Sequence, residues 1–463
     1  MTEMLNQLTA WSGKIAGYLW GPVPIAGYPV PLTVIFLVGT GFYLTVRLRF
    51  IQFRGFKHSF QLISGKYDKS TDPGEVTHFQ ALSTALSATV GTGNIAGVAT
   101  AIAFGGPGAV FWMWITALVG MATKFTSCTL ALKYRDMHPD GSVSGGPMYT
   151  LKNALNMPRL ATAFAVFTLI ASFGIGNMVQ ANSVADGLGY LFPDINGYRL
   201  VIGVVIAIMV GLVIIGGIKR IAKVSSHIVP FMAIIYCGAA LLILIMNAGK
   251  IPAALATIVN HALNPYAVGG GAIGAAIQYG VARGVFSNEA GLGSAPMAHA
   301  AARTNEPVRE GLVAMLGPFI DTIVICTMTA LVIIIMGAWG EARPEELKGA
   351  ALSAHAFSLA LGKFGGWVVG FGLMFFAYST IIAWSYYGDR SAEFLFGERA
   401  VLPYRIIYTV LVVIGAYVPL QLVWNFADIA NMLMAAPNLI SLILLAGLVK
   451  KLSDEYMEKQ NVN

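Results

Sequence analysis

The chain reads as an all-α polytopic membrane protein of eleven spanning helices, one extra amino-terminal helix followed by two inverted sets of five. Three observations predict this: too few charges to cover a water-facing surface, apolar runs of membrane-crossing length joined by short loops, and two glycine-interrupted runs at matching positions. Of 463 residues, 56% are hydrophobic and only 11% are charged, where a soluble domain carries about 25%. The apolar excess therefore faces lipid.

A spanning helix takes roughly 20 apolar residues. Such runs lie near 28–47, 77–104, 108–133, 160–185, 199–217, 225–247, 269–301, 308–337, 353–388, 401–419 and 425–449. No connection is long enough to be a separate soluble domain. The chain divides into 1–76 (an outer segment, the extra helix and a cytoplasmic loop), a first five-helix repeat at 77–250, a second at 251–449, and a tail at 450–463.

Orientation follows from Lys and Arg, which are retained on the cytoplasmic side. Alternating the runs gathers Arg47, Arg49, Arg54, Lys57, Lys66 and Lys69 on one side, with Lys133, Arg135, Lys152 and Arg159, and further basic residues in each later loop of that side. The opposite loops hold only Lys14, Arg199, Lys250, Arg343, Lys348 and Lys363. This places the amino terminus outside and the carboxyl terminus in the cytoplasm of a multi-pass inner-membrane protein. The first 27 residues lack a basic region followed by an apolar one, so no cleaved leader is expected.

Several function classes are excluded. The net charge is +7, but the basic residues are scattered between apolar runs, which is not a nucleic-acid footprint. Cys128, Cys237 and Cys326 lie inside apolar runs without metal-ligand spacing, and the seven histidines are dispersed. No nucleophile–base, metal or paired-carboxylate constellation points to an enzyme. Channels use oligomeric symmetry or rings of charge, and neither is visible.

The informative segment of run 77–104 is Ser87-Ala88-Thr89-Val90-Gly91-Thr92-Gly93-Asn94-Ile95-Ala96-Gly97. Glycine, threonine and asparagine at mid-bilayer depth make a poor continuous helix, which predicts a break. Run 269–301 repeats the pattern in Arg283-Gly284-Val285-Phe286-Ser287-Asn288-Glu289-Ala290-Gly291-Leu292-Gly293-Ser294. Aligned so that Asn94 meets Asn288, Ala96 meets Ala290, Gly97 meets Gly291 and Thr100 meets Ser294. The two runs cross in opposite directions. Glycines in membrane helices often serve only close packing, as Gly93-xxx-Gly97 would. Two matched interruptions instead point to an inverted-repeat transporter site. At such breaks, bared amides face an anion and bared carbonyls a cation, which suits a zwitterionic amino acid plus Na⁺.

Lys124, Arg283, Glu289 and Asp321 are charges inside runs, costly unless paired or wet. Lys124 is expected to pair with Glu289 or Asp321 as an internal brace, and Arg283 to serve an outer gate. Ser379 and Thr380 are adjacent hydroxyls, hard ligands suited to Na⁺ as oxygen is to other hard cations, with Trp384 one turn on. Phe173, Asn177 and Gln180 are candidate pocket lining.

The run Gly105-Gly106-Pro107-Gly108-Ala109-Val110-Phe111-Trp112-Met113-Trp114, continued by Ile115 to Gly120, resembles the signature of the alanine/glycine:cation symporter family. Thr89 to Gly97 and Gly145-Gly146-Pro147-Met148-Tyr149 match it as well. That family lies within the amino-acid/polyamine/cation superfamily, so the resemblance implies a LeuT-like inverted five-plus-five fold. It also implies Na⁺-coupled import of alanine or glycine by a monomeric functional unit, with H⁺ coupling on the same fold as the alternative. By analogy with the neurotransmitter:sodium symporters, Ser87, Val90, Ser379 and Thr380 would hold Na⁺. The substrate would sit among Thr89, Gly91, Thr92, Gly93 and Asn94, with its carboxylate on the amides of the last three. Carbonyls of Phe286, Ser287 and Asn288 would face its ammonium, while Thr380 and Trp384 limit its side chain.

Overall fold

In the computed structural model, residues 2–21, 23–25, 28–30, 32–69, 71–139, 141–263, 271–340 and 347–460 are described. Arg343, counted above on the outer side, lies outside them. The helices used below are α1 (Thr2–Trp20), α2 (Leu32–Arg47), α3 (His78–Thr89), α4 (Val98–Gly105), α5 (Gly108–Lys133), α6 (Pro158–Phe173) and α7 (Val179–Leu191). They continue with α8 (Arg199–Ile214), α9 (Gly217–Met246), α10 (Ile251–Leu263), α11 (Gly271–Asn288), α12 (Ala295–Ala300), α13 (Pro307–Ala314) and α14 (Thr327–Ile335). The last are α15 (Gly349–Leu361), α16 (Lys363–Phe396), α17 (Val401–Tyr417) and α18 (Leu420–Lys459). Two short antiparallel hairpins, β1 (Val23–Ile25) with β2 (Tyr28–Val30) and β3 (Asp136–Met137) with β4 (Val143–Ser144), stand among them.

Among the described residues, seven helices are long and apolar enough to cross a membrane, or eight when the bent pair α3–α4 counts as one span. Shorter apolar helices include α2, α8 and α15. Burial is inverted relative to a water-soluble protein. α8 turns Val201, Val205, Ile208 and Leu212 outward, and α17 turns Leu402, Ile406 and Val410 outward. Ser87, Thr92, Asn94, Ser287, Asn288 and Thr380 are buried. In water such an apolar belt would drive association; in lipid it costs nothing, and the polar main chain is kept inside.

The structure departs from the sequence expectations in five places. The expected span 353–388 is two helices, because Gly362 takes a φ of 62° between α15 and α16. The amino-terminal segment forms α1, and α10 precedes α11. The runs near 160–185 and 308–337 each contain a stretch of wider π-helical turn, at Gly174–Met178 and Phe319–Cys326.

α5 forms the centre of the packing, and small residues set how close its neighbours come. A side chain on Gly280 of α11 would meet the Ala109 carbonyl at 2.4 Å and Trp112 Cβ at 2.7 Å. One on Gly120 would meet Ala290 Cβ at 2.6 Å. Overpacking of this kind costs about 1–3 kcal/mol. Gly280→Val should therefore lower the melting temperature in detergent by several degrees. Gly238→Val, on the exposed face of α9 with nothing within 4 Å, should leave it unchanged in the same fluorescence-detected size-exclusion assay.

Candidate functional site

α3 stops at Thr89 because Val90, with φ −74° and ψ 88°, leaves helical geometry. The chain resumes in the π-helical turn Gly93–Gly97, and the two halves are bent by 49°. Glycine is required here by close approach. A Cβ on Gly91 would lie 2.4 Å from Thr380 Oγ1, and one on Gly93 would lie 3.0 Å from Ser287 Cα. Gly97 is different: its nearest neighbour would be the Thr92 carbonyl at 3.9 Å. The pair Gly93-xxx-Gly97 is therefore not a packing motif.

α11 stops at Asn288, and Glu289, Gly291 and Gly293 take φ values of 54°, 91° and 89° before α12 begins. The glycines accept the left-handed region freely, whereas Glu289 is strained there. Its carboxylate is held on both sides. Ser294 Oγ donates to Oε2 at 2.5 Å, and Trp384 Nε1 donates to Oε1 at 2.7 Å. Asn288 Oδ1 accepts the Ala290 amide at 2.9 Å, while its Nδ2 donates to Thr322 Oγ1 at 3.2 Å.

The two interruptions meet, and Asp321 joins them. Its Oδ1 accepts from Asn94 Nδ2 at 2.6 Å, and its Oδ2 accepts from Ser287 Oγ at 2.8 Å and Thr322 Oγ1 at 2.7 Å. Asn94 also donates to the Asp321 carbonyl at 3.1 Å and accepts the Gly91 amide at 2.9 Å. Asn94, Ser287 and Asp321 are all fully buried. Wide turns before and around Asp321 aim its carboxylate at both breaks, since a tighter helix would rotate it elsewhere.

A second group of oxygens lies on the other side of the first break. Thr380 Oγ1 donates to the Ser87 carbonyl at 3.0 Å, with Ser379 Oγ at 3.4 Å from the same oxygen. Ser87 Oγ in turn donates to the Ser379 carbonyl at 2.8 Å. Val90 adjoins Gly91, whose approach to Thr380 is given above. Ser87, Ser379 and Thr380 are thus gathered into one cluster. Of the amides expected to meet a substrate carboxylate, that of Thr92 donates to Gln180 Oε1 at 3.3 Å and that of Asn94 to the Gly91 carbonyl at 3.3 Å. The Thr92 hydroxyl is buried with no hydrogen-bond partner among the described residues. A buried hydroxyl left in this state marks a place for a polar group. Thr89 Oγ1, by contrast, bonds its own helix at the Ala85 carbonyl.

Other candidates fall elsewhere. Phe173 is not brought to the breaks: half-buried as the last residue before the wide turn, it packs on Tyr404 and Tyr408. Lys124 is buried near Glu289 and Asp321, yet among the described residues it forms no ion pair within 4.0 Å with either. The expected brace is corrected on that point: serine, threonine, asparagine and tryptophan donors already occupy both carboxylates. Arg283 Nη2 pairs with Asp428 Oδ2 at 2.5 Å, a partner that sequence reasoning missed. Its guanidinium also lies 4.6 Å from the Trp424 ring centroid and 5.5 Å from that of Phe286.

That pair borders a cavity of about 710 Å³, lined by α1 (Gly13, Trp20), the first broken helix (Ala96, Thr100), Lys348 and Gln421. Trp20 Nε1 donates to the Asp428 carbonyl at 2.9 Å, tying α1 to the pairing. The cavity, called the vestibule below, touches the first break at Ala96.

Two interrupted helices clasped at the centre of a helical membrane bundle define the class: a multi-pass membrane transporter, not an enzyme. The crystal structure of MhsT in complex with L-phenylalanine shares this LeuT fold, with a TM-score of 0.58 at 13% identity over 82% of this chain and 98% of that one. A family model described as the sodium:alanine symporter family matches residues 7–463. The sodium/alanine symporter AgcS of Methanococcus maripaludis is 49% identical over 94% of each chain. A transporter of Haemophilus influenzae is 48% identical over 97% of this chain and 96% of its own. The chain belongs to the sodium:alanine symporter family.

Gly93→Ala should separate the two breaks and lower transport into proteoliposomes about tenfold or more, as about 1–3 kcal/mol of overpacking implies. Gly97→Ala, which has room, should retain near wild-type transport.

Proposed function

We propose that the protein carries a small neutral amino acid, alanine or glycine, into the cell with Na⁺ by alternating access. It does so as a monomeric unit in the inner membrane, with its amino terminus outside and its carboxyl terminus in the cytoplasm. On this reading eleven helices span the bilayer, and the repeats 77–250 and 251–449 are inverted about the site. The observation that carries the proposal is the meeting of the two broken helices at Gly93 and Ser287, with Asp321 joining them.

Electrostatics supports a cation at this centre. The Asp321 carboxylate lies between the two breaks, held by the neutral donors Asn94, Ser287 and Thr322. Carrying an unbalanced buried charge is expensive, and a bound Na⁺ offsets it. The neutral oxygens at Ser87, Val90, Ser379 and Thr380 are the site proposed for a coupling Na⁺. Asn94, Ser287 and Asp321 supply a second oxygen set, in which the carboxylate brings charge. Binding Na⁺ there would draw the two half-helices together before the chain can reorient.

The amino acid is placed beside the breaks. Its carboxylate would meet the amides of Thr92, Gly93 and Asn94, displacing Gln180 from that of Thr92, with the Thr92 hydroxyl beside it. Carbonyls of Phe286, Ser287 and Asn288 would take its ammonium, and Thr380 and Trp384 would limit its side chain. Arg283 with Asp428 would form the outer gate beneath the vestibule.

Labelled alanine should accumulate in proteoliposomes only when Na⁺ is present outside. Equal uptake with K⁺ alone on both sides would overturn the coupling, and accumulation driven by a pH gradient without Na⁺ would favour H⁺. Thr380→Ala should raise the Na⁺ concentration for half-maximal uptake about tenfold, as losing one oxygen contact worth ~1.4 kcal/mol implies. Lys124→Ala should not raise it, because removing a positive charge does not oppose a cation. The reverse ranking would contradict the site.

A further inference from the structure

The strongest structure outside the central site lies where the two broken helices end, at the face opposite the vestibule. Residues 73–76, which lead into α3, lie against residues 300–304, which leave α12. The Glu75 amide donates to the Ala301 carbonyl at 2.8 Å, Arg303 to the Val76 carbonyl at 2.8 Å, and Thr304 to the Pro73 carbonyl at 3.1 Å. Val76 and Ala302 form an isolated parallel bridge. The two segments that flank the broken helices are thus zipped by main chain.

One side chain fastens the zip. Arg135 Nη1 donates to the Ala300 carbonyl at 2.6 Å and the Ala302 carbonyl at 2.8 Å. Its Nη2 donates to the Pro73 and Thr304 carbonyls, both at 2.9 Å. The four terminal N–H groups of the guanidinium each have a carbonyl, two segments are spanned, and among the described residues no carboxylate bonds to it. A lysine, with three donors on one nitrogen, cannot reproduce that planar fork.

The surroundings are shaped to seat it. A Cβ on Gly145 would meet Ala300 Cβ at 2.5 Å and Arg135 Cβ at 3.0 Å, and one on Gly146 would meet Met297 Cγ at 2.7 Å. The Gly145-Gly146-Pro147 turn, which the central site leaves unexplained, therefore brings the Arg135 loop onto α12. From the β3–β4 hairpin the Val143 amide donates to Glu75 Oε1 at 3.2 Å. One layer deeper, Glu310 is shared by both broken helices: His299 Nδ1 of α12 lies 2.5 Å from Oε1, and His78 Nδ1 of α3 bonds Oε2.

Resting on the carrier reading above, we propose that Arg135, seated on the Gly145–Gly146 turn, is the cytoplasmic latch of the transport cycle. Its four carbonyl contacts hold the inward path shut, and they must release before solute and ion leave. Arg135 is a positioning residue: it acts on the main chain of the gate and not on the solute.

Cys128 is a native reporter. It is fully buried on α5, with Lys124, Glu310 and Tyr387 as its electrostatic neighbours, between the latch and the centre. Inside-out vesicles are treated with a membrane-impermeant maleimide, and each cysteine peptide is followed by mass spectrometry. Arg135→Ala should raise the rate of Cys128 modification at least tenfold, with Arg135→Lys intermediate. Arg159→Ala, at an exposed position, should match wild type. Cys128 reacting at the wild-type rate in both Arg135 variants would overturn the latch, as would equal acceleration at Cys128, Cys237 and Cys326, which signals general loosening. If Arg135→Ala fails to fold, Arg135→Lys is scored by the same rule. The readout needs no transported solute, so absence of Na⁺-driven alanine uptake in the wild type would sink the carrier reading separately.

Discussion

Unwinding a helix inside a membrane bares main-chain groups that lipid cannot satisfy, and the rest of this structure is organised around meeting that demand. Local side chains meet part of it, Asn94 on the Gly91 amide and Asn288 on the Ala290 amide, while Gln180 of α7 takes the Thr92 amide. Asp321 sits where these repairs converge, bonded to Asn94 from one interrupted helix and Ser287 from the other. A carboxylate in that position does two things. It fixes the distance between the breaks, and it places negative charge where water cannot screen it.

The two ends of the molecule are built on different principles. At the vestibule, closure rests on one ion pair, Arg283 with Asp428, stacked against Trp424 and Phe286. At the opposite end it rests on main-chain pairing fastened by Arg135 and on a carboxylate shared by two histidines. A single ion pair has fewer bonds to break than a main-chain pairing fastened by the four hydrogen bonds of Arg135. The two ends thus differ in kind, one held by a side-chain ion pair and the other by main-chain bonds.

Much of this was legible in the residues. The breaks fall beside Asn94 and Asn288 because local composition alone disfavours helix there, and the glycines at 91, 93, 291 and 293 do locally what their type implies. The cluster of Ser87 with Ser379 and Thr380 was legible through family resemblance, since those residues lie 292 positions or more apart. Other features left no mark. The wide turns at 174–178 and 319–326 carry no residue signature of their own, so the sequence did not reveal that Phe173 would pack on Tyr404 and Tyr408 or that Asp321 would bond to both breaks. Lys124 was paired by charge logic alone, which cannot see that neutral donors fill both carboxylates first. Asp428 lies 145 positions from Arg283, and the acceptors of Arg135 are carbonyls, which any sequence supplies.

Equilibrium binding of radioactive Na⁺ to the purified protein, without any amino acid, tests the central claim most directly. If the Asp321 carboxylate joins the breaks and calls for a cation, Asp321→Asn should lose a distinct Na⁺-binding component that the wild type saturates, while eluting as the same folded species. Full wild-type Na⁺ binding by folded Asp321→Asn would contradict the account.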